Sequence, residues 1–153
     1  MGQRTFISTN EWFELSYPDH WTDFEEEDGT FMFMDNEDWK GNLRITAMRL
    51  ETGNLESKAR FLKKHLDDEF EENNGATRVK LGSKDAVHYA KDLVQDGDPL
   101  KIHYWTTGDK TTLLLCSFTM DKGSLEKKEV VREFEHAIET LASIKIRDEE
   151  NAG

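Results

Sequence analysis

The chain reads as a mixed α/β domain: an antiparallel β-sheet of about six or seven strands with helices packed on both faces. Three observations predict this. Runs of strand signal fill the first third and the middle of the chain, and short turn segments punctuate the middle run. Two segments, near 56–73 and 124–142, carry apolar residues at helical spacing. Both faces of the central strands are apolar, so both require cover. A length of 153 residues makes one domain, placed at 1–146 and followed by a polar tail at 147–153 that is expected to fray.

The opening block is Trp12-Phe13-Glu14-Leu15-Ser16-Tyr17-Pro18-Asp19-His20-Trp21. Phe13, Leu15 and Tyr17 alternate with polar neighbours, the period of a half-buried strand. Pro18 stops it, lacking an N–H and biasing Tyr17 toward extended geometry. Glu25-Glu26-Glu27-Asp28-Gly29 reads as an acidic turn. Thr30 to Met34 is apolar on both faces, the mark of a strand covered on each side. A polar loop, 35–42, holds Trp39. The next strand, Leu43 to Leu50, changes phase between Ala47 and Met48, as at a bulge.

Leu55, Ala59, Leu62, Leu66 and Phe70 line one helical face, Asn54 suits the cap, and Gly75 suits a left-handed stop. Strands near 77–82, 85–95, 100–107 and 111–119 form a meander. With turns centred on Gly97-Asp98 and Gly108-Asp109, Val87, Tyr89, Leu93, Ile102, Tyr104, Leu113 and Leu115 share one face. Ala86, His88, Val94, His103, Trp105, Leu114, Cys116 and Phe118 share the other. The last helix buries Val130, Phe134, Ala137, Ile138 and Leu141, and 143–146 adds a short edge strand.

Composition narrows function. A net charge of −12 argues against nucleic acid, whose phosphates need clustered Lys and Arg, and against anionic membranes. It favours a basic protein partner. The single cysteine, Cys116, excludes an intrachain disulfide and sits in an apolar run as a small buried hydrophobe. No segment is long and apolar enough to insert in a membrane, and no signal-peptide core opens the chain, so a cytoplasmic location is expected.

Phe13-Glu14-Leu15-Ser16-Tyr17-Pro18-Asp19-His20-Trp21 is a variant of F-x-[IL]-x-[YL]-P-x-x-W. With the phenylalanine-rich second strand and the closing Leu141-Ala142-Ser143-Ile144, it resembles the PsbP-like superfold. That superfold takes in PsbP, the Ran-binding Mog proteins and bacterial DcrB-type domains. Trp39-Lys40-Gly41-Asn42-Leu43-Arg44-Ile45 is similar to a group of uncharacterised bacterial domains of this fold. The resemblance implies a sandwich of sheet and helices and no shared chemistry.

The five histidines, His20, His65, His88, His103 and His136, show no pair at the short spacing of a zinc site. In the register above, His103 faces Asp92, about 13 Å along the strand from His88, too far for one coordination shell. The acidic runs lack the spacing of a calcium loop. No Walker loop, dinucleotide fingerprint or nucleophile elbow is present. No catalytic residue, cofactor site or metal site is therefore assigned. The candidate contact residues are Asp35, Glu37, Asp38, Trp39 and Lys40. Trp39 offers apolar area, Lys40 a flanking charge, and the acids steer a basic partner. The expected function is a non-enzymatic protein-interaction module, a chaperone, adaptor or immunity-like inhibitor. The alternative is a small-molecule or lipid pocket between sheet and helix, using Met32, Met34, Met48 and Trp105.

Overall fold

The computed structural model describes residues 2–27, 29–50, 53–109 and 111–147, with backbone alone at Glu27. Its strands are β1 (Gln3–Ile7), β2 (Phe13–Pro18), β3 (Thr22–Glu27), β4 (Thr30–Met34) and β5 (Asn42–Arg49). After helix α1 (Leu55–Glu72) come β6 (Thr77–Leu81), β7 (Lys84–Gln95), β8 (Asp98–Asp109) and β9 (Thr112–Asp121). A 3₁₀ turn at Lys122–Ser124 leads to helix α2 (Lys128–Ala142) and strand β10 (Lys145–Ile146). Seven strands form one antiparallel sheet in the order β3-β4-β5-β9-β8-β7-β6, and β1-β2-β10 form a second.

The inner face of the large sheet carries Phe31, Phe33, Leu43, Ile45, Leu114, Cys116 and Phe118, all buried. They alternate with outward residues, which the period of two requires. Phe13, Leu15 and Tyr17 of β2 meet them from the small sheet. The contact is aromatic: Phe13 to Phe31 at 5.7 Å, Tyr17 to Phe33 at 5.3 Å, and Phe6 edge-on to Phe33 at 5.0 Å. Such pairs add to plain area burial. Helix α2 lies beside β2 over the same face, its Val130, Ala137 and Leu141 buried.

Helix α1 packs on the opposite face, against β7 and β8. Asn54 caps it as expected, its Oδ1 accepting from the Ser57 amide at 2.9 Å. Gly75 adopts φ +77° just beyond its end. The cover is local. Leu62 is buried, but Leu55 is 65% exposed, so the expected five-residue stripe buries mainly its centre. At the β4–β5 end, Met32 and Met34 are half-buried and Met48 is 48% exposed. The expectation that β4 is covered on both faces is thus corrected.

Other expectations change in detail. Glu25–Glu27 belongs to β3 rather than to a turn, held by pairing with β4. The irregularity falls there, between Glu25 and Glu27, while β5 runs against β9 without a break from Asn42 to Arg49. Met48 simply keeps the outward phase. In the last helix, Ile138 is 37% exposed and Phe134 only half-buried, while Glu133 takes a buried position. Arg147 is anchored, its amide donating to the Trp12 carbonyl at 2.7 Å; residues 148–153 lie outside the described residues. No helix among the described residues is long and apolar enough to cross a membrane.

Candidate functional site

Three segments converge at one end of the molecule: the loop 35–41 between β4 and β5, the turn after β2, and the first half of α2. The loop is clamped from within. Asp35 Oδ1 accepts from the amides of Glu37 and Asp38 at 3.0 and 3.1 Å, and its Oδ2 accepts from Lys40 Nζ at 3.1 Å. Lys40 Nζ also donates to the Asp38 carbonyl. Burial pushes the Asp35 carboxyl up, but hydrogen bonds from Lys40, Asp38 and Glu37 outweigh it, and the net direction is down. Burial pulls Lys40 down, but its hydrogen bond to Asp35 and the fields of Glu133, Asp35 and Asp38 hold it above the ordinary lysine value.

Trp39 stands on this loop, 43% exposed, its indole N–H donating to Asn42 Oδ1 at 3.1 Å. Trp21 and Trp105 are buried, and Trp12 is half-buried with the Arg49 guanidinium 5.1 Å from its ring centroid. Trp39 is therefore the one exposed tryptophan among the described residues. A groove of about 160 Å³ separates it from the start of α2, with Lys40, Asp121, Lys127 and Val130 among its walls. Glu37 and Asp38 face solvent, whereas Lys40 is turned inward and its charge is met by Asp35 and Asp38.

Behind the loop lies a grouping that sequence spacing did not reveal. His20, from the turn after β2, places Nε2 2.9 Å from Glu133 Oε1, a contact spanning 113 residues. His136 lies one helical turn beyond Glu133, and its ring centroid is 5.4 Å from that of His20. One ligand atom from each of the three lies within 4.8 Å of the other two. The trace in the sequence is Glu133-x-x-His136, which puts both side chains on one helical face. Burial, then Arg132, push the His136 imidazole below its ordinary value.

The other histidine pair is a correction. The β7–β8 turn pairs Gln95 with Asp98, and β8 pairs with β9 at Asp109↔Thr112, so each register slips by an even number from expectation. Faces are kept but partners move, and His103 sits opposite Ala90 rather than Asp92. His88 Nε2 and His103 Nδ1 now share a hydrogen bond of 2.8 Å, inside a stack with Trp105 and Phe134. Burial, then the neighbouring His88, push His103 down to about 4. Cys116 is buried and its thiol is pushed up to about 12, which leaves it unreactive.

Under α1 a cavity of about 550 Å³ is walled by Leu62, Leu66, Val79, Val87, Lys63 and Asp85, among others. A smaller one, about 270 Å³, includes Tyr89, Tyr104 and Trp105. Met32, Met34 and Met48 line neither.

A two-sheet α/β sandwich with a helix on each face of its larger sheet defines this protein's fold class, and the fold is PsbP-like. The chain belongs to DUF3805, a domain of unknown function, which matches residues 1–152. It is similar to a protein of known crystal structure from Bacteroides thetaiotaomicron VPI-5482, with 32% identity and a TM-score of 0.79. The match covers 98% of this chain and 50% of that one, so the chain spans about half that protein's length. Two more distant structures share the fold. One is LpqN of Mycobacterium tuberculosis, described as involved in cell envelope biogenesis: 12% identity, TM-score 0.59, 96% and 91% of the two chains covered. The other is the Saccharomyces cerevisiae Ran-binding protein Mog1p: 10% identity, TM-score 0.55, 98% of each chain covered. No curated protein matches the chain.

Proposed function

We propose that this domain is a non-catalytic protein-interaction module that contacts a basic partner through the Trp39 loop. The observation that carries this is an exposed tryptophan on a loop held rigid by its own hydrogen bonds. Interface anchors are enriched in tryptophan, and a preorganised anchor loses little entropy on docking. Glu37 and Asp38 flank it toward solvent, and the net charge of −12 steers a cationic surface toward it. Asp35 and Lys40 act as the clamp rather than as contacts. The yeast protein of this fold is a Ran-binding protein, which supports the fold as a vehicle for protein contacts.

A photo-crosslinking amino acid at position 37 tests this in cells that make the protein. A discrete adduct from position 37, absent when the same group is placed at position 71 on α1, is the expected result. Equal adducts from both positions, or none from 37, overturn the proposal. The cavity of about 550 Å³ under α1 favours a second function, small-molecule binding, since its size falls in the ligand range. Its charged rim weighs against a lipid. A ligand panel that raises the melting temperature, with the rise abolished by Leu66→Trp, would favour that function instead.

A further inference from the structure

Glu133 is the least expected residue in the fold. It is 1% exposed, on the face of α2 that packs inward. One carboxylate oxygen accepts from His20 Nε2; the other, Oε2, is buried without a hydrogen-bond partner. A buried, unpartnered carboxylate oxygen is costly, so a native structure keeps one for a reason. The indole N–H of Trp21 is also buried without a partner, and its ring lies 6.1 Å from that of His20 and 6.5 Å from that of His136. Lys40 lies close enough for its charge to feel Glu133 but is bonded to Asp35 instead.

We propose that His20, Glu133 and His136 bind one divalent transition-metal ion, with Zn²⁺ as the reference case. Two imidazoles and one carboxylate are a recurrent ligand set for borderline-soft metals that keep a coordination position open. Bond lengths of about 2.0–2.2 Å put tetrahedral ligand atoms roughly 3.3–3.5 Å apart. The three atoms here lie within 4.8 Å, so modest side-chain rotation closes the set. With His20 in its Nδ1–H tautomer, Nε2 turns a lone pair to the ion, and the 2.9 Å contact with Glu133 opens slightly to admit it. Glu133 Oε2 then gains a partner, either the ion itself or a water held by it.

The surroundings suit the ion. Arg132, on the same helix, is occupied by Glu139 at 3.1 Å and Glu135 at 3.5 Å. A groove of about 150 Å³, walled by Gln3, Pro18, Asp19, His20 and His136 among others, gives the ion a path from solvent. Two ligands come from one turn of a helix and the third from a turn fixed by Pro18 and Trp21, whose amide donates to the Pro18 carbonyl at 3.0 Å. The set is thus held on rigid elements.

The test uses the untagged full chain, stripped with EDTA, and titrated with Zn²⁺ and with Co²⁺. The expected result is one equivalent bound at micromolar affinity or tighter, with visible Co²⁺ absorption of low-coordinate intensity. His20→Ala and His136→Ala each weaken binding at least tenfold, and Glu133→Gln, which keeps the shape of the buried side chain, does the same. His65→Ala on α1 leaves it unchanged. Circular dichroism of each variant confirms the fold before titration; should Glu133→Gln fail to fold, the two histidine variants decide. Affinity unchanged in both histidine variants, or binding only at millimolar Zn²⁺, overturns the proposal.

Discussion

Gly41→Ala probes how the Trp39 loop is anchored. Gly41 opens the approach to β5, where the backbone passes against the ring of Phe118. A Cβ there would overlap Phe118 Cζ and lie 2.7 Å from Cε2. The ring has little room to yield: Phe118 is fully buried, with Phe134 at 6.1 Å and Leu43 opposite it on β5. Overpacking of this kind costs about 1–3 kcal/mol. Gly41 also has φ +153°, which side chains rarely adopt, adding about 1 kcal/mol. The expected loss is roughly 2–4 kcal/mol, read from urea unfolding followed by tryptophan fluorescence and circular dichroism. Phe118→Leu removes the clashing ring edge, so the double variant should recover about 1 kcal/mol relative to additivity. Gly41→Ala within about 0.5 kcal/mol of wild type, or a cycle that is additive within the same margin, would refute the anchoring.

Two further predictions concern buried titratable groups. His103 has a folded pKa of about 4 against an ordinary 6.5, so the unfolded chain binds its proton first. Stability is complete above about pH 6.5 and falls as the pH drops toward 4; with partial solvent screening the loss is about 1–2 kcal/mol. Urea midpoints across that range should slope less in His103→Phe, and an identical slope would remove the pair as the cause. Cys116, buried with its thiol at about 12, should react with a thiol reagent only at the rate of unfolding. Rapid reaction of the native protein would show the strand β9 to be open.

The sequence carried the pattern of the fold better than its contacts. The faces of the meander were legible because side-chain period is two, and even-numbered slips at the turns leave the alternation intact. The slip of two at the β7–β8 turn moved the partner of His103 from Asp92 to Ala90 and hid its bond to His88. Strands β1 and β3 escaped notice for a physical reason. β3 offers one phenylalanine among polar residues and β1 only Phe6 and Ile7, which do not alternate, and each is an edge strand held by pairing with its neighbour. Helix α2 read as amphipathic, but helical periodicity treats a glutamate as outward-facing. Glu133 is turned inward because Ala137 and Val130 on the same face are buried, and His20 arrives to meet it from a distant turn. The Trp39 loop was legible as a tryptophan among polar residues; the inward turn of Lys40 depends on Asp35 lying within reach, which only folding shows.

The most direct test of the proposed interaction surface is the Kd of the partner captured from position 37, measured by titration calorimetry for wild type and Trp39→Ala. The contact role of Trp39 predicts at least a tenfold weakening, about 1.4 kcal/mol, with the melting temperature unchanged. A Kd within twofold of wild type, or a melting temperature that falls along with binding, would contradict it.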